Sequence, residues 1–457
     1  MSKARVQYTC GACGIVQPRS YGRCPSCEAW NSFVEERVAG GAGSRPTAAS
    51  GARPLAITQV PAAGHGRVAT GLAEFDRVLG GGIVPGALML LGGEPGAGKS
   101  TLTMQVSAAL ARQGRQVLYL SGEESAQQIR LRADRLDALD ERLHLLCESD
   151  MPTLIEAIRG LSPDFVVVDS IQAMQDPELS SVPGSVSQVR EAALQFQQVA
   201  KRYGIPMVLV GHVTKEGTLA GPRVLEHLVD TVLSFEGDRY RAHRILRSLK
   251  NRYGSTLEVG VFEMTGQGLS EVADPSALFL AERTQGASGS AVAVLLEGSR
   301  PLLLEVQALV APTSSSSPRR AANGLEQGRL IQILAVLDRR VGLHVTQSDV
   351  HANVVGGLSM AEPAGDLALA LAVVGAARGL ALPDPMVAIG EIGLGAEVRR
   401  VGQIEARLHE AAKLGFTQAL IPRGNLDGLD VPDPLVVHGI GHLTEALPLA
   451  FPSREPA

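Results

Sequence analysis

The chain has 457 residues, 45% of them hydrophobic and 19% charged, with a net charge of −5. That profile suits an ordered protein of about two to four domains and excludes a disordered chain and a uniformly basic nucleic-acid coat. No apolar run approaches the ~20 residues that cross a bilayer. Tyr8 and a cysteine pair stand where a secretory leader would be apolar, so a cytoplasmic protein without membrane contact is expected.

Four of the five cysteines come first, as Cys10-x2-Cys13 and Cys24-x2-Cys27. Each pair can chelate one face of a tetrahedral ion, and Gly11, Gly14 and Pro25 supply turns. Residues 1–38 are therefore expected to hold one structural Zn2+ rather than disulfides, which a reducing compartment disfavours. Residues 39–55, rich in Gly, Ala, Ser and Pro, read as a flexible linker.

Residues 56–274 alternate apolar runs (88–91, 117–120, 165–168, 207–210) with helix-length segments, which predicts a parallel sheet covered on both faces. Ligands of such sheets lie beyond the carboxyl ends of the strands. The first run feeds Gly93-Glu94-Pro95-Gly96-Ala97-Gly98-Lys99-Ser100, a G-x-x-x-x-G-K-S phosphate loop, followed by Thr101 and a helix expected over 101–112 and stopped by Gly114. Backbone N–H groups at that helix start suit a triphosphate. Lys99 can reach its β/γ-phosphates, and the Ser100 hydroxyl can join a Mg2+ shell.

Each later strand end offers a polar residue. Asp169 after 165–168 reads as the second magnesium-holding group, a Walker B carboxylate. After 117–120, Glu123 or Glu124 can orient and deprotonate the attacking water; Glu123 is favoured, and Ser121-x-x-Glu124 also reads as a helix cap. His212 after 207–210 can sense the γ-phosphate or pack as a structural histidine. Loops at 175–187 and 214–222, with Lys215 and Arg223, are candidate strand-gripping loops or ordinary surface. Cys147, in a Leu-rich segment, reads as a packed core thiol.

Residues 239–252 carry Arg239, Arg241, Arg244, Arg247, Lys250 and Arg252 and no acidic residue, with Tyr240, Ile245, Leu246 and Leu249 interleaved as on a strand. Lys250 and Arg252 then share a face, and an anion between them is expected, such as the γ-phosphate bound by a neighbouring subunit. A further boundary falls near 273–276, and 275–457 has apolar segments of its own.

The four-cysteine motif, the phosphate loop and above all Lys250-Asn-Arg-Tyr-Gly254 resemble, over nearly the whole length, the bacterial RadA (Sms) family of DNA-repair ATPases. The family usually has Phe where Tyr253 stands. The resemblance implies an α/β RecA-like P-loop core between a small C4 zinc ribbon and a C-terminal α+β domain similar to the protease domain of Lon. It further implies a homohexameric ring that hydrolyses ATP with Mg2+ and drives branch migration on single-stranded and branched DNA alongside the RecA recombinase. Lys250 and Arg252 would then be trans-acting residues coupled to DNA.

The Lon-like stretches are 354–358, 362–366 and 390–395, and they set Ala364 at the serine position and Arg407 at the lysine position. Alanine has no nucleophile and arginine keeps its proton, so no proteolysis is expected. An ATP-dependent protease and a KaiC-like switch ATPase are the competing readings. The zinc module and the basic pentapeptide favour a motor.

Overall fold

The computed structural model describes residues 5–10, 15–26, 28, 30, 32–38, 56, 58, 66–211, 224–237, 243–313, 317–357 and 359–452. Cys13, Cys27, His212, Lys215, Arg223, Arg239 and Arg241 lie outside them. The chain divides into two units, Met1–Val272 and Ala273–Ala457.

The first unit begins with a small antiparallel sheet of β1 (Arg5–Cys10), β2 (Val16–Gln17) and β3 (Phe33–Val38), in the order β2-β1-β3. Its core then runs α1 (Ala73–Leu79), β4 (Leu88–Gly93), α2 (Lys99–Arg112), β5 (Val117–Ser121), α3 (Ala126–Arg135), β6 (Leu143–Cys147), α4 (Met151–Leu161) and β7 (Phe165–Asp169). It continues with α5 (Val186–Tyr203), β8 (Met207–Val210), α6 (Val224–Leu228), β9 (Thr231–Glu236), β10 (His243–Asn251), β11 (Val259–Thr265) and β12 (Gly268–Glu271).

These strands form one sheet, β12-β11-β10-β9-β4-β8-β7-β5-β6, parallel from β9 to β6 and antiparallel from β9 to β12. The four runs read from the sequence as strands are its β4, β5, β7 and β8. Every residue of β4 and β8 is buried, because helices cover both faces. One apolar layer joins alternate strand residues such as Met89, Tyr119 and Val167 to α2, while the other joins Leu90, Leu120 and Val168 to α4 and α5.

Three local expectations need correction. The helix after the phosphate loop starts at Lys99 rather than 101. The cap of α3 is Ser125, whose hydroxyl pairs with Gln128 in a reciprocal capping box, and not the Ser121–Glu124 pair. Cys147 is exposed rather than packed, because β6 is the last strand of the sheet and has a neighbour on one side only.

The second unit contains α7 (Pro275–Leu280), β13 (Ser290–Glu297), β14 (Arg300–Pro312), β15 (Arg320–Asn323), α8 (Gln327–Val341), β16 (Ser348–Val354) and α9 (Asp366–Arg378). After these come β17 (Met386–Ala388), β18 (Glu391–Ile392), β19 (Val398–Arg399), α10 (Ile404–Lys413), β20 (Gln418–Pro422), β21 (Val436–Ile440) and α11 (Leu443–Ala450). Seven strands make a mixed sheet, β15-β16-β14-β13-β17-β20-β21. Helix α9 is apolar all round and buried from Asp366 to Gly375, as a helix at the centre of a core must be. Among the described residues no helix is long and apolar enough to cross a membrane.

Candidate functional site

The phosphate loop takes its shape from glycine. Gly96 and Gly98 have φ of +83° and +108°, which residues with a Cβ rarely adopt, and a Cβ on Gly98 would come within 2.6 Å of Met264 Cε. No side chain caps α2, so its first N–H groups remain available to an anion. Lys99 is 4% exposed, and its ammonium donates to the Gly93 and Glu94 carbonyls at 2.7 and 2.9 Å. Burial lowers its pKa, opposed by the negative charges of Asp169 and Glu123. A buried cation, free helix-terminal N–H groups, the Ser100 hydroxyl and the Asp169 carboxylate form a donor set that fits a magnesium-bound triphosphate.

The two glutamates after β5 separate clearly. Glu124 is gripped through both oxygens by Arg132 of α3. Glu123 is exposed and accepts a hydrogen bond from the buried Ser170 hydroxyl next to Asp169. Across the parallel pair of β5 and β7, Ser121 faces Asp169, and the Tyr119 phenol donates to Asp169 Oδ2 at 2.5 Å. Tyr119 and Arg132 were not singled out in the sequence, and Ser170 stood there only as the neighbour of Asp169. The available signal was one hydroxyl-tipped aromatic inside an aliphatic strand and one hydroxyl beside the Walker B position. Arg244, read only as part of the basic run, is 6% exposed and its Nε donates to the Ala97 carbonyl of the phosphate loop at 3.0 Å.

Lys250 and Arg252 lie elsewhere. Strand β9 runs parallel to β4, and β10 returns antiparallel to β9, with a register shift between Ser248 and Lys250. The start of β10 therefore lies beside the phosphate loop and its end lies at the opposite edge of the sheet. Arg252 N bonds Asp230 O at 3.0 Å and Asp230 N bonds Leu88 O at 2.8 Å, so Arg252 is level with the first residue of β4. At ~3.3 Å per residue, that is about 17 Å back from Gly93.

The carboxylate that Arg252 meets belongs to the chain itself and is shared with Lys201, not with Lys250. Asp230, with its side chain 2% exposed, accepts from Lys201 Nζ at 2.5 Å, Leu88 N at 3.0 Å and Arg252 Nη1 at 3.4 Å. Lys250 Nζ donates to the Glu226 and Val229 carbonyls at 2.6 and 2.8 Å. Its pKa is lowered by burial and by the Arg252 charge, against Asp230 and Glu226. Burial works against the Lys201 ammonium, but hydrogen bonds to Asp230 and Tyr253 outweigh it and raise its pKa. The Arg252 side chain stays 53% exposed.

Near the small sheet, Cys10 and Cys24 are both buried; Cys10 N bonds Ile15 O, and Glu28 N bonds Cys24 O, both at 2.9 Å. Two buried thiols suit part of a C4 metal site; the other two cysteines of the motif, Cys13 and Cys27, lie outside the described residues. Among the described residues no group of three or more potential ligands comes together.

Comparison with known proteins agrees with this layout. Residues 52–218 match the model of an AAA domain and residues 8–35 that of a rubredoxin metal-binding domain. The DNA repair protein RadA of Bacillus subtilis is 49% identical over 98% of this chain and 99% of its own. The protein of the same name from Synechocystis is 46% identical over all of this chain and 96% of its own. The chain belongs to the RadA family. Among solved structures, a KaiC-like protein from Pyrococcus horikoshii aligns with 46% of this chain and all of its own, at 19% identity and a TM-score of 0.38.

In this RadA-family chain the second unit holds a closed ionic centre. Ala364 is 2% exposed, and Arg407 is buried completely. The Arg407 guanidinium donates to both oxygens of Glu362, to Val294 O at 2.6 Å and to Gly402 O at 3.0 Å. A buried guanidinium cannot accept a proton from a nucleophile. A buried carboxylate, Asp366 at the start of α9, is held by Arg329; burial raises its pKa against that partner.

Proposed function

We propose that this RadA-family ATPase hydrolyses ATP at a site shared between neighbouring copies and uses the cycle to drive branch migration of recombination intermediates on single-stranded and branched DNA, alongside a RecA-type recombinase. The observation that carries the reading is the separation of Lys250 and Arg252 from their own phosphate loop. Measured along the strands, Lys250 lies about 10 Å and Arg252 about 17 Å back from their own phosphate loop, and Lys250 Nζ is turned to the Glu226 and Val229 carbonyls, so neither serves the γ-phosphate of the same chain. Arg252 is, however, half-exposed and held by Asp230, and Lys250 is held beside it by the Glu226 and Val229 carbonyls.

Residues Gly93–Gly98 of the loop, with Ser100 and Thr101, cradle the phosphates through backbone N–H groups, and Lys99 compensates their charge. Magnesium, held by Ser100 and Asp169, would neutralise charge developing on the phosphates. Glu123 acts as the base towards water, because Arg132 already engages Glu124. His212 senses the γ-phosphate. An arginine offered from a neighbour is worth on the order of 10³–10⁵ in rate.

Within this reading the chain is organised as a zinc module (1–38, with Cys10, Cys13, Cys24 and Cys27 as ligands), a linker (39–55), the ATPase core (56–274) and a Lon-like domain (275–457), assembled as a hexameric ring. With Ala364 and Arg407 at the dyad positions, the last domain is a scaffold and not a protease. ATP hydrolysis measured with and without single-stranded DNA, next to extension of a three-strand branched substrate, tests the reading. DNA should stimulate turnover, and Arg252→Ala should abolish branch extension. DNA-independent turnover with full branch extension by Arg252→Ala would defeat it.

A further inference from the structure

We propose that Tyr119 is a positioning residue for Asp169, its hydroxyl fixing which oxygen of that carboxylate is left for the metal side. The inference rests on the role given above to Asp169.

Tyr119 sits within β5, 1% exposed, in the otherwise aliphatic run Val117-Leu118-Tyr119-Leu120. Side chains alternate along a strand, so Tyr119 and Ser121 face the same side, and Ser121 is the residue paired with Asp169 on β7. The phenol leans two pairs forward, from the level of Val167, to reach Asp169 Oδ2 at 2.5 Å. A carboxylate only accepts, so the phenol is the donor.

The other neighbour of the hydroxyl, Thr103 Oγ1 at 3.5 Å, lies within reach of the Lys99 and Ser100 carbonyls at 3.1 and 3.3 Å. The threonine proton is thus directed to the helix and the tyrosine proton to the carboxylate. Among the described residues no group donates to Asp169 Oδ1. One oxygen is tethered and the other is presented, with a fixed orientation of the carboxylate plane.

The test uses the full-length chain. Tyr119→Phe removes one oxygen and keeps the ring. Nucleotide affinity is titrated against Mg2+ for wild type, Tyr119→Phe, Asp169→Asn and the double variant, with binding in EDTA as a control that a general packing defect would disturb. Tyr119→Phe should raise the half-saturating Mg2+ about tenfold, leave binding in EDTA unchanged, and add nothing in the Asp169→Asn background. An unchanged or lower Mg2+ requirement in Tyr119→Phe, while Asp169→Asn raises it, overturns the inference alone. An unchanged requirement in Asp169→Asn overturns the assignment of Asp169 together with it. Should Tyr119→Phe melt early, Thr103→Val, which keeps the phenol–Asp169 bond, should show the wild-type Mg2+ requirement; a raised one there overturns the inference.

Discussion

Arg407 allows a stability prediction worked from its contacts. Its side chain is wholly buried, Glu362 is 29% exposed, and the guanidinium also satisfies the Val294 carbonyl at 2.6 Å. Arg407→Ala leaves that carboxylate unpaired, which costs about 3–5 kcal/mol for buried pairs; the partial exposure of Glu362 favours the lower end. The orphaned carbonyl adds about 1–2 kcal/mol, for a total of about 4–5 kcal/mol. In a unit the length of Ala273–Ala457, 1 kcal/mol moves Tm by about 2–4 °C, so its transition should fall by about 8–20 °C.

Differential scanning calorimetry of the full-length variant reads the shift directly. Arg407→Lys, which keeps the charge and loses the fork, should lie between wild type and Arg407→Ala. Pairing Arg407→Met with Glu362→Gln should cost clearly less than the sum of the single changes. A fall below about 3 °C for Arg407→Ala, or additive losses in the double variant, would show that the pair does not hold this domain together.

Lys99→Ala should abolish ATP turnover with circular dichroism and particle size unchanged; residual turnover would refute the phosphate-loop assignment. Mixing Arg252→Ala with Lys99→Ala chains should restore part of the hydrolysis through mixed interfaces, and no recovery at any ratio argues against a trans-acting Arg252. Metal analysis should return about one zinc per chain, and chelation should melt the N-terminal sheet, since a structural zinc contributes roughly 10–16 kcal/mol of local folding energy.

Glu271 supplies a pH prediction. Burial raises its pKa, the charges of Glu74 and Asp76 add to the rise, and the Glu74 N–H it accepts at 2.6 Å opposes it. A carboxyl raised in the folded state binds more protons there than when unfolded, so its contribution to stability falls as pH rises through the folded value. Glu271→Gln keeps the acceptor oxygen and should therefore raise Tm more at pH 8 than at pH 4.5; an equal effect at both would refute the argument.

The parts of the site written in consecutive residues could be read directly. Gly93 to Ser100 specify a loop, and a buried run ending in Asp169 specifies a strand terminus, because backbone geometry and burial period are local properties. Tyr119, Asp230 and Arg132 act through partners on other elements, and sequence spacing does not give strand order. Cys147 was misread for the same reason, since a Leu-rich run looks alike in a central strand and at a sheet edge. The strand alternation that put Lys250 and Arg252 on one face was interrupted by the register shift after Ser248 and by the end of β10 at Asn251. Asp230, distant in sequence but next to Arg252 in register, joins Arg252 to Lys201, while Lys250 turns to backbone carbonyls.

The antiparallel return of β10 gives each molecule unlike poles, a phosphate cradle at one and a cation pair at the other. Surfaces that complement each other without being the same patch form heterologous contacts, which propagate head to tail. Such a series ends only when the rotation per step closes it, and otherwise runs on as a filament. The small angular offset between one copy and the next, rather than any single residue, then decides whether the assembly is finite.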